Sequence, residues 1–287
     1  MKLSVVLATK NEEANIKDCL LSVRGIADEI IVVDEYSTDK TPEIARMMGA
    51  KVFKNKHINN FHESKQLAIE KARGDWILQL DADERVSPDL SREIVEVINL
   101  VDKEIISRRP DDKNKWKLFK RHENALRRRG GMTAGKGDVA GFFIPRKNYF
   151  LGKPLIHGGV YPDAVIRLVK KNKAYLPAKN VHEQMVVKGK VAWLFSDLEH
   201  FESPTLRRYL MRLNRYTSEH AKDISASGVG KNYKNLLSYT FLKPGLTFVK
   251  MYFRHRGYKD GLRGFVWCVF SSFHYPLAFY KHWINEG

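Results

Sequence analysis

Short apolar segments alternate with helix-like segments through the first hundred residues of this 287-residue chain. The apolar segments have the length and composition of buried strands, and they are residues 3–9, 29–34, 51–55 and 75–80. The helical stretches between them end at Gly25, Gly49 and Gly74, and glycine is a common helix stop. This alternation predicts an α/β fold, with a Rossmann-like, mostly parallel sheet flanked by helices. Ligands of such sheets bind at the carboxyl ends of the strands.

Acidic residues follow two of these predicted strands. Asp34 ends the second strand, and the fourth is followed by Asp81-Ala82-Asp83-Glu84. In an extended segment the side chains of Asp81 and Asp83 would point the same way and repel each other, unless a cation or a shared proton lay between them. Carboxylate oxygens suit Mg²⁺ and Mn²⁺, so a metal site is one interpretation. The alternative is a solvated turn before a helix, with Glu84 at the ordinary surface.

Charge is divided unevenly along the chain, whose net formal charge is +17. Residues 1–100 carry 14 Lys and Arg against 18 Asp and Glu, whereas the remaining residues carry 36 against 15. A basic surface of this strength is typical of proteins that bind polyanions or anionic membranes, and a solvated basic face without a partner is the alternative. We expect no nucleic-acid partner, because no zinc-finger spacing or RNP-type aromatic motif is present and an acidic sheet edge would repel phosphate.

Residues 103–140 form a basic insertion in which Trp116, Leu118 and Phe119 lie among lysines and arginines. From residue 103 to residue 147 there are 14 basic and 5 acidic residues. Two interpretations remain open for this segment. It is either an acceptor-binding lid that grips phosphorylated sugars or lipid head groups, or a solvated, disordered insertion.

The last third of the chain, residues 201–287, has helical periodicity and forms a basic helical extension. Its apolar run, residues 265–280, is too short and too interrupted by polar residues and Pro276 to predict a membrane span. Basic residues beside aromatic ones favour a helix lying in the interface of an anionic membrane, while a core helix or a dimer face remain alternatives. Cys19 and Cys268 form no disulfide framework, and no signal peptide is visible, so we expect a cytoplasmic protein.

Four segments of the first hundred residues resemble the nucleotide-sugar-binding half of glycosyltransferase family 2, which has the GT-A fold. They are LSVVLATKNEEANI, ADEIIVVDEYSTDKTPEIA, GAKVF and GDWILQLDADERVSP. Later segments, such as FFIPRKNYFLGKPLIHGGVYPDAVIRLVKK, resemble the bacterial subgroup of beta-1,4-glucosyltransferases that adds glucose to the lipopolysaccharide inner core. The resemblance implies a donor half at 1–100, an acceptor half at 101–200 and a membrane-associating helical region at 201–287.

The resemblance also implies a function. The expected enzyme is an inverting, metal-dependent transferase. It would move a hexose, which we expect to be glucose, from a UDP-sugar to a lipid-linked or lipopolysaccharide-core acceptor. It would lie at the inner face of the cytoplasmic membrane and contact its anionic surface. One alternative is a nucleotide-sugar transferase with another donor or acceptor, such as a cell-surface polysaccharide or glycolipid. The others are a GT-A-like protein that transfers a different group or none, and a basic nucleic-acid-binding protein.

Specific roles follow for the donor side. By resemblance, Thr9, Asn11 and Glu12 border the base and ribose, and Asp34 accepts a hydrogen bond from the base. By the same resemblance, Asp81 lies near the ribose or the metal, and Asp83 ligates Mg²⁺ or Mn²⁺.

The acceptor side is expected in the later segments. The resemblance implies that Glu183 is the general base and that His182 orients it or contacts the diphosphate. It further implies that Asp163 and Arg167 shape the donor-sugar and acceptor pocket. Lys65 lies in the helix before the fourth strand; an approach to the donor is one interpretation, and a surface lysine is the one we expect.

Overall fold

The computed structural model describes residues 1–56, 61–128, 135–177 and 185–284. The chain divides into two compact units. The sheet unit comprises Met1–Arg146 and Pro162–His200, and the helical unit comprises Lys147–Tyr161 and Phe201–Gly287. The sheet unit therefore combines residues from both of the segments, 1–100 and 101–200, that the sequence analysis distinguishes.

The elements are named in chain order. The strands are β1 (Leu3–Thr9), β2 (Glu29–Asp34), β3 (Lys51–Lys54), β4 (Trp76–Leu80), β5 (Glu84–Val86), β6 (Val139–Ile144), β7 (Arg146–Phe150), β8 (Lys153–Pro154), β9 (Val165–Lys170), β10 (Ala174–Tyr175), β11 (Val186–Val187), β12 (Lys190–Trp193) and β13 (Leu198–Ser203). The helices are α1 (Ile16–Val23), α2 (Thr41–Met47), α3 (Phe61–Lys71), α4 (Pro88–Val97), α5 (Asp102–Ser107), α6 (Lys113–Arg128), α7 (Leu206–Ala226), α8 (Tyr233–Leu237), α9 (Lys243–Val249) and α10 (Gly261–Trp283).

The sheet unit is built on a sheet in the order β12-β6-β9-β4-β1-β2-β3. Strand β9 is antiparallel to its neighbours β4 and β6, and the other pairs are parallel. Every residue of β1, β2 and β4 is buried, so both faces of the sheet centre are covered. The predicted mostly parallel α/β fold is confirmed, as are the predicted strands at the start of the chain.

The register of the parallel strands aligns their carboxyl ends. Thr9 of β1 lies opposite Asp34 of β2, and Leu7 of β1 lies opposite Leu80 of β4. Asp81 follows Leu80 directly, so it meets Thr9 and Asp34 at the same edge of the sheet. We call this edge the carboxyl edge.

The basic insertion contributes packed structure to the sheet unit. Its residues form α5 and α6, and the Phe119 side chain on α6 is fully buried. The Phe119 ring stacks on Trp193 of β12 with 4.4 Å between ring centroids. Such burial of an aromatic ring anchors α6 to the edge of the sheet, so this part of the insertion is not a solvated segment. Residues 129–134 lie outside the described residues.

The helical unit contains α7, α10 and a continuous helical segment from Tyr233 to Arg254. Two π-helical segments, Ser238–Leu242 and Lys250–Arg254, follow α8 and α9, and a 3₁₀ turn at Gly257–Asp260 leads into α10. We call residues 233–254 the connecting helix. It runs antiparallel to α10, because Tyr239 stacks on Phe279 and Phe248 meets Phe265. No helix in the described parts of the chain is long and apolar enough to cross a membrane.

Candidate functional site

Asp34 organises the loop at the end of β2. Its carboxylate is almost fully buried, and its Oδ1 accepts hydrogen bonds from Ser37 Oγ at 2.6 Å and Thr9 Oγ1 at 3.3 Å. Its Oδ2 accepts a hydrogen bond from the backbone N–H of Ser37 at 3.0 Å. The acid predicted to read a base is thus fixed in orientation by the loop that follows it.

The loop after β1 is tied to the loop after β2. Asn11 adopts a positive φ of 55°, its backbone N–H donates to Ser37 Oγ at 2.9 Å, and its Oδ1 accepts from Thr38 N at 2.8 Å. The backbone N–H of Glu12 donates to Thr41 Oγ1 at 2.7 Å. The structure therefore brings Thr9, Asn11, Glu12 and Asp34 together at the carboxyl edge.

The acidic segment after β4 is a turn, which is the alternative that the sequence left open beside an extended segment. The backbone N–H of Glu84 donates to the carbonyl of Asp81 at 2.9 Å, and this bond closes the turn. The side chains of Asp81 and Asp83 consequently meet different partners. We call residues 81–84 the acidic turn.

Two protein cations and an amide surround the carboxylate of Asp81. Lys65 Nζ lies 2.5 Å from its Oδ1, Arg167 Nη2 lies 2.5 Å from its Oδ2, and Gln79 Nε2 donates to Oδ1 at 3.2 Å. Burial alone would raise the pKa of Asp81, but Arg167 and Lys65 hold that pKa well below its usual range. Asp81 is therefore ionised at neutral pH, and the like-charge repulsion expected from the sequence is relieved by the protein itself. Its assignment as a metal ligand stays a prediction.

Lys65 differs from its expected surface position. It lies on α3, and only 11% of its side chain is exposed. Arg167 on β9 is buried, and besides Asp81 it contacts Gln79 and Glu84. Burial lowers the pKa of Arg167, but Asp81 and Glu84 raise it above its ordinary value, so the guanidinium is permanently charged.

Glu84 is fully buried, whereas the turn interpretation of the sequence places it at the ordinary surface. Its Oε1 lies 2.8 Å from Arg167 Nη2 and 3.4 Å from Arg146 Nη1, and its Oε2 accepts the backbone N–H of Asp81 at 2.9 Å. Arg146 also donates to Asp163 Oδ2 at 2.7 Å. Three carboxylates and three cations thus form one network beneath the acidic turn, and they are Asp81, Glu84, Asp163, Lys65, Arg146 and Arg167.

Asp83 faces a histidine that sequence reasoning missed. The Nε2 of His200 lies 3.6 Å from Asp83 Oδ1. Burial, followed by the neighbouring Arg146, lowers the pKa of His200 despite the opposing effect of Asp83, so the imidazole is neutral at neutral pH. His200 reaches this position because β13 pairs antiparallel with β5, where His200 lies opposite Glu84. Because β5 and β13 are far apart in the sequence, no short motif predicts that they pair.

The Asp83–His200 pair offers the donor types that divalent cations accept, a carboxylate oxygen and a neutral imidazole nitrogen. Within the described residues, no three His, Cys, Asp or Glu side chains form a metal-binding group. The pair therefore fits a cation whose remaining ligands come from a bound molecule, such as diphosphate oxygens. Glu183 and His182 lie outside the described residues, so their assigned roles stay predictions.

Two proteins that are similar to most of this chain are named as glycosyltransferases. An uncharacterized glycosyltransferase of Rickettsia typhi is 28% identical over 282 residues, covering 95% of this chain and 83% of the relative. The lipopolysaccharide core biosynthesis glycosyltransferase LpsC of Rhizobium meliloti is 24% identical, covering 93% of this chain and 86% of that protein.

A solved structure is similar over a shorter part of the chain. Glucosyl-3-phosphoglycerate synthase from Mycobacterium tuberculosis, in complex with Mn²⁺, UDP and glucosyl-3-phosphoglycerate, is 30% identical over 29% of this chain and 34% of its own, with a TM-score of 0.27. The family model described as glycosyl transferase family 2 matches residues 4–161, more than half of the chain and most of the elements that build the carboxyl edge. The chain therefore belongs to glycosyl transferase family 2.

Proposed function

We propose that this protein is an inverting, metal-dependent hexosyltransferase that moves glucose from UDP-glucose to a lipid-linked or lipopolysaccharide-core acceptor. Membership of a nucleotide-sugar glycosyltransferase family supports the reaction class. The similarity to LpsC, a lipopolysaccharide core biosynthesis glycosyltransferase, supports a lipopolysaccharide-core acceptor. Such an enzyme would work in the cytoplasm, peripherally at the inner face of the cytoplasmic membrane.

The observation that carries the proposal is the Asp83–His200 pair, which stands 3.6 Å apart beside the carboxyl edge. Asp83 and His200 would hold Mg²⁺ or Mn²⁺, with Asp81 as a further predicted ligand. When bound, the cation would neutralise the charge that grows on the departing nucleoside diphosphate.

The other residues of the site would bind and orient the donor. Asp34 is held by Ser37 and Thr9 so that its carboxylate can accept a hydrogen bond from a base, and Asn11 and Glu12 fix the neighbouring loop. Lys65, Arg146 and Arg167 supply positive charge under the acidic turn, where an anionic donor would otherwise be repelled. Glu183 would remove the proton from the acceptor hydroxyl.

Calorimetric titration with UDP tests the metal site without requiring the acceptor. We expect Mn²⁺ or Mg²⁺ to tighten UDP binding to the wild type by at least about tenfold, equivalent to about 1.4 kcal/mol. Asp83→Asn and His200→Gln should lose this metal-dependent gain and keep the affinity measured in EDTA. Asp89→Asn, a change at an exposed acid on α4, should behave as the wild type.

The proposal of a metal role at this pair is wrong if Asp83→Asn responds to the cation as strongly as the wild type. A panel of UDP-, GDP- and ADP-sugars in the same titration tests the donor, and tightest binding of a non-uridine donor would overturn the UDP assignment. Glu183→Gln should retain donor binding and lose transfer, and a loss of donor binding instead would remove Glu183 from the general-base role.

A further inference from the structure

The connecting helix exposes an apolar stripe along its outer side. Six apolar residues of this stripe each expose between 54% and 68% of their surface, and they are Leu237, Phe241, Leu242, Leu246, Val249 and Phe253. Their spacing of three to four residues, with Phe241 and Leu242 adjacent in a π-helical segment, places them on one side of the helix. The stripe from residue 237 to residue 253 is about 24 Å long at 1.5 Å per residue.

The opposite side of the same helix is also apolar. Tyr239 is buried and stacks on Phe279 at 4.6 Å, and Phe248 contacts Phe265 at 6.0 Å between ring centroids. A helix that is hydrophobic all round normally lies in a protein core or in a membrane. One side of the connecting helix packs on α10, so only the exposed side remains to be covered by another apolar environment.

A second exposed stripe on α10 adjoins the first. Leu262, Phe273, Leu277, Tyr280 and Ile284 each expose more than a third of their surface. The two stripes meet where Thr240 Oγ1 donates to the Tyr280 hydroxyl at 3.2 Å, next to Phe241. Together the two stripes place eleven exposed apolar residues on adjoining helices. Clustered exposed apolar residues mark interaction or membrane sites, unlike apolar residues scattered singly.

The charged residues of the connecting helix itself are all positive. Residues 224–259 contain seven Lys and Arg and no Asp or Glu. Within 235–249 the sole charged residue is Lys243, and its ammonium lies 3.2 Å from the centroid of the Tyr239 ring. The exposed cations Lys234, Lys250 and Arg254 therefore flank an uncharged apolar centre.

We infer that this two-helix surface inserts in the plane of an anionic bilayer, with the connecting helix immersed to the level of its apolar stripe and the flanking cations at the lipid phosphates. The apolar centre explains insertion and the positive ends select anionic lipid, as in amphipathic helices that lie in membrane interfaces. This inference rests on the proposed function, which includes a lipid-linked acceptor. Insertion of the surface into the bilayer would give the enzyme access to that acceptor. The surface includes Phe273, Leu277 and Tyr280 from the residue 265–280 run singled out in the sequence, and the connecting helix adds the more continuous exposed stripe.

Vesicle flotation with the full chain tests the inference. We expect the wild type to bind vesicles of 70% phosphatidylcholine and 30% phosphatidylglycerol, and to remain bound in 0.5 M NaCl because insertion is driven by apolar burial. The double variant Phe241→Ser/Leu246→Ser should bind these vesicles at least about tenfold more weakly, since each side chain buried in an apolar medium contributes more than a factor of ten. Lys250→Gln/Arg254→Gln should weaken the preference for anionic vesicles.

A control is available on the sheet unit, where Met47 on α2 is an apolar residue even more exposed than Phe241 and Leu246. Met47→Ser should bind vesicles as the wild type does. Complete release of the wild type in 0.5 M NaCl would overturn insertion in favour of surface charge alone. The wild type could instead be a dimer in light scattering that fails to bind vesicles, while the double variant is a monomer. That result would overturn membrane insertion and show that a second copy of the chain covers the surface.

Titration of UDP with Mn²⁺ separates this inference from the proposed function. The double variant should bind UDP as the wild type does, because neither changed residue belongs to the donor site. Normal UDP binding without vesicle binding refutes the membrane surface alone, whereas vesicle binding without metal-dependent UDP binding refutes the proposed metal-dependent donor site alone.

Discussion

Changing Glu84 to glutamine would remove one charge from the network beneath the acidic turn while keeping the size of the side chain. Glu84 is fully buried and contacts Arg167 at 2.8 Å, Arg146 at 3.4 Å and the backbone N–H of Asp81 at 2.9 Å. Removing one partner of a buried ion pair destabilises a protein by about 3–5 kcal/mol, because the other charge stays buried without compensation. Since Arg167 keeps Asp81 as a partner, we expect the lower end of this range, about 3 kcal/mol.

Urea unfolding followed by tryptophan fluorescence measures this loss, because Trp76 is buried on β4. The same loss should lower the melting temperature by about 6–12 °C, at about 2–4 °C per kcal/mol for a chain of this size. The control is Asp89→Asn, which breaks the Arg92–Asp89 pair on the surface, where both side chains are more than 70% exposed. Exposed pairs contribute about 1 kcal/mol or less. If Glu84→Gln is no more destabilising than Asp89→Asn, the reasoning about buried charge at this site is refuted.

Two further changes test other parts of the structure. Gly74→Ala should destabilise the sheet unit by about 1–3 kcal/mol, because the added Cβ would lie 2.7 Å from the backbone nitrogen of Ser4 in β1. Gly25→Ala, whose Cβ would meet no atom within 4 Å, is its control in the same urea unfolding, and equal stability of the two variants would contradict the close approach. Burial, followed by the neighbouring His220 and Lys281, lowers the pKa of His274 to about 4. Between about pH 6.5 and pH 4 the unfolded chain therefore binds more protons at this residue than the folded chain does, and the free energy of unfolding should fall as the pH drops through this range. His274→Gln should show a smaller difference in unfolding free energy between pH 7 and pH 5, and an unchanged difference would argue against this linkage.

The local features of the fold follow from the sequence, and the features that depend on distant partners do not. The strands Leu3–Thr9 and Glu29–Asp34 are apolar runs closed by polar loops, so their bounds and the position of Asp34 at the carboxyl edge are predictable. Glu84 looks like a surface residue because its partners Arg146 and Arg167 lie 62 and 83 residues further along the chain. The burial of Glu84 is therefore decided by contacts with residues that are distant in the sequence.

The same limit explains the other differences at the candidate site. The sequence left an extended segment and a turn open for residues 81–84. The hydrogen bond from Glu84 N to the Asp81 carbonyl decides for the turn, which a period-two pattern does not reveal. Lys65 lies on α3, the helix before β4, so its contact with Asp81 depends on how α3 packs against the sheet. The packing of Phe119 on Trp193 likewise joins segments that no short motif connects.

The antiparallel strand β9 has a consequence for the order in which the chain folds during synthesis. It supplies Arg167 and completes one side of β4, yet it leaves the ribosome long after β1 to β4. A nascent chain of a hundred residues would hold β4 as an open edge, with Glu84 lacking both of its arginines. Translation that stalls between residues 100 and 165 should therefore yield an aggregation-prone, protease-sensitive intermediate. Synthesis of Arg167 should be the step that stabilises the sheet unit.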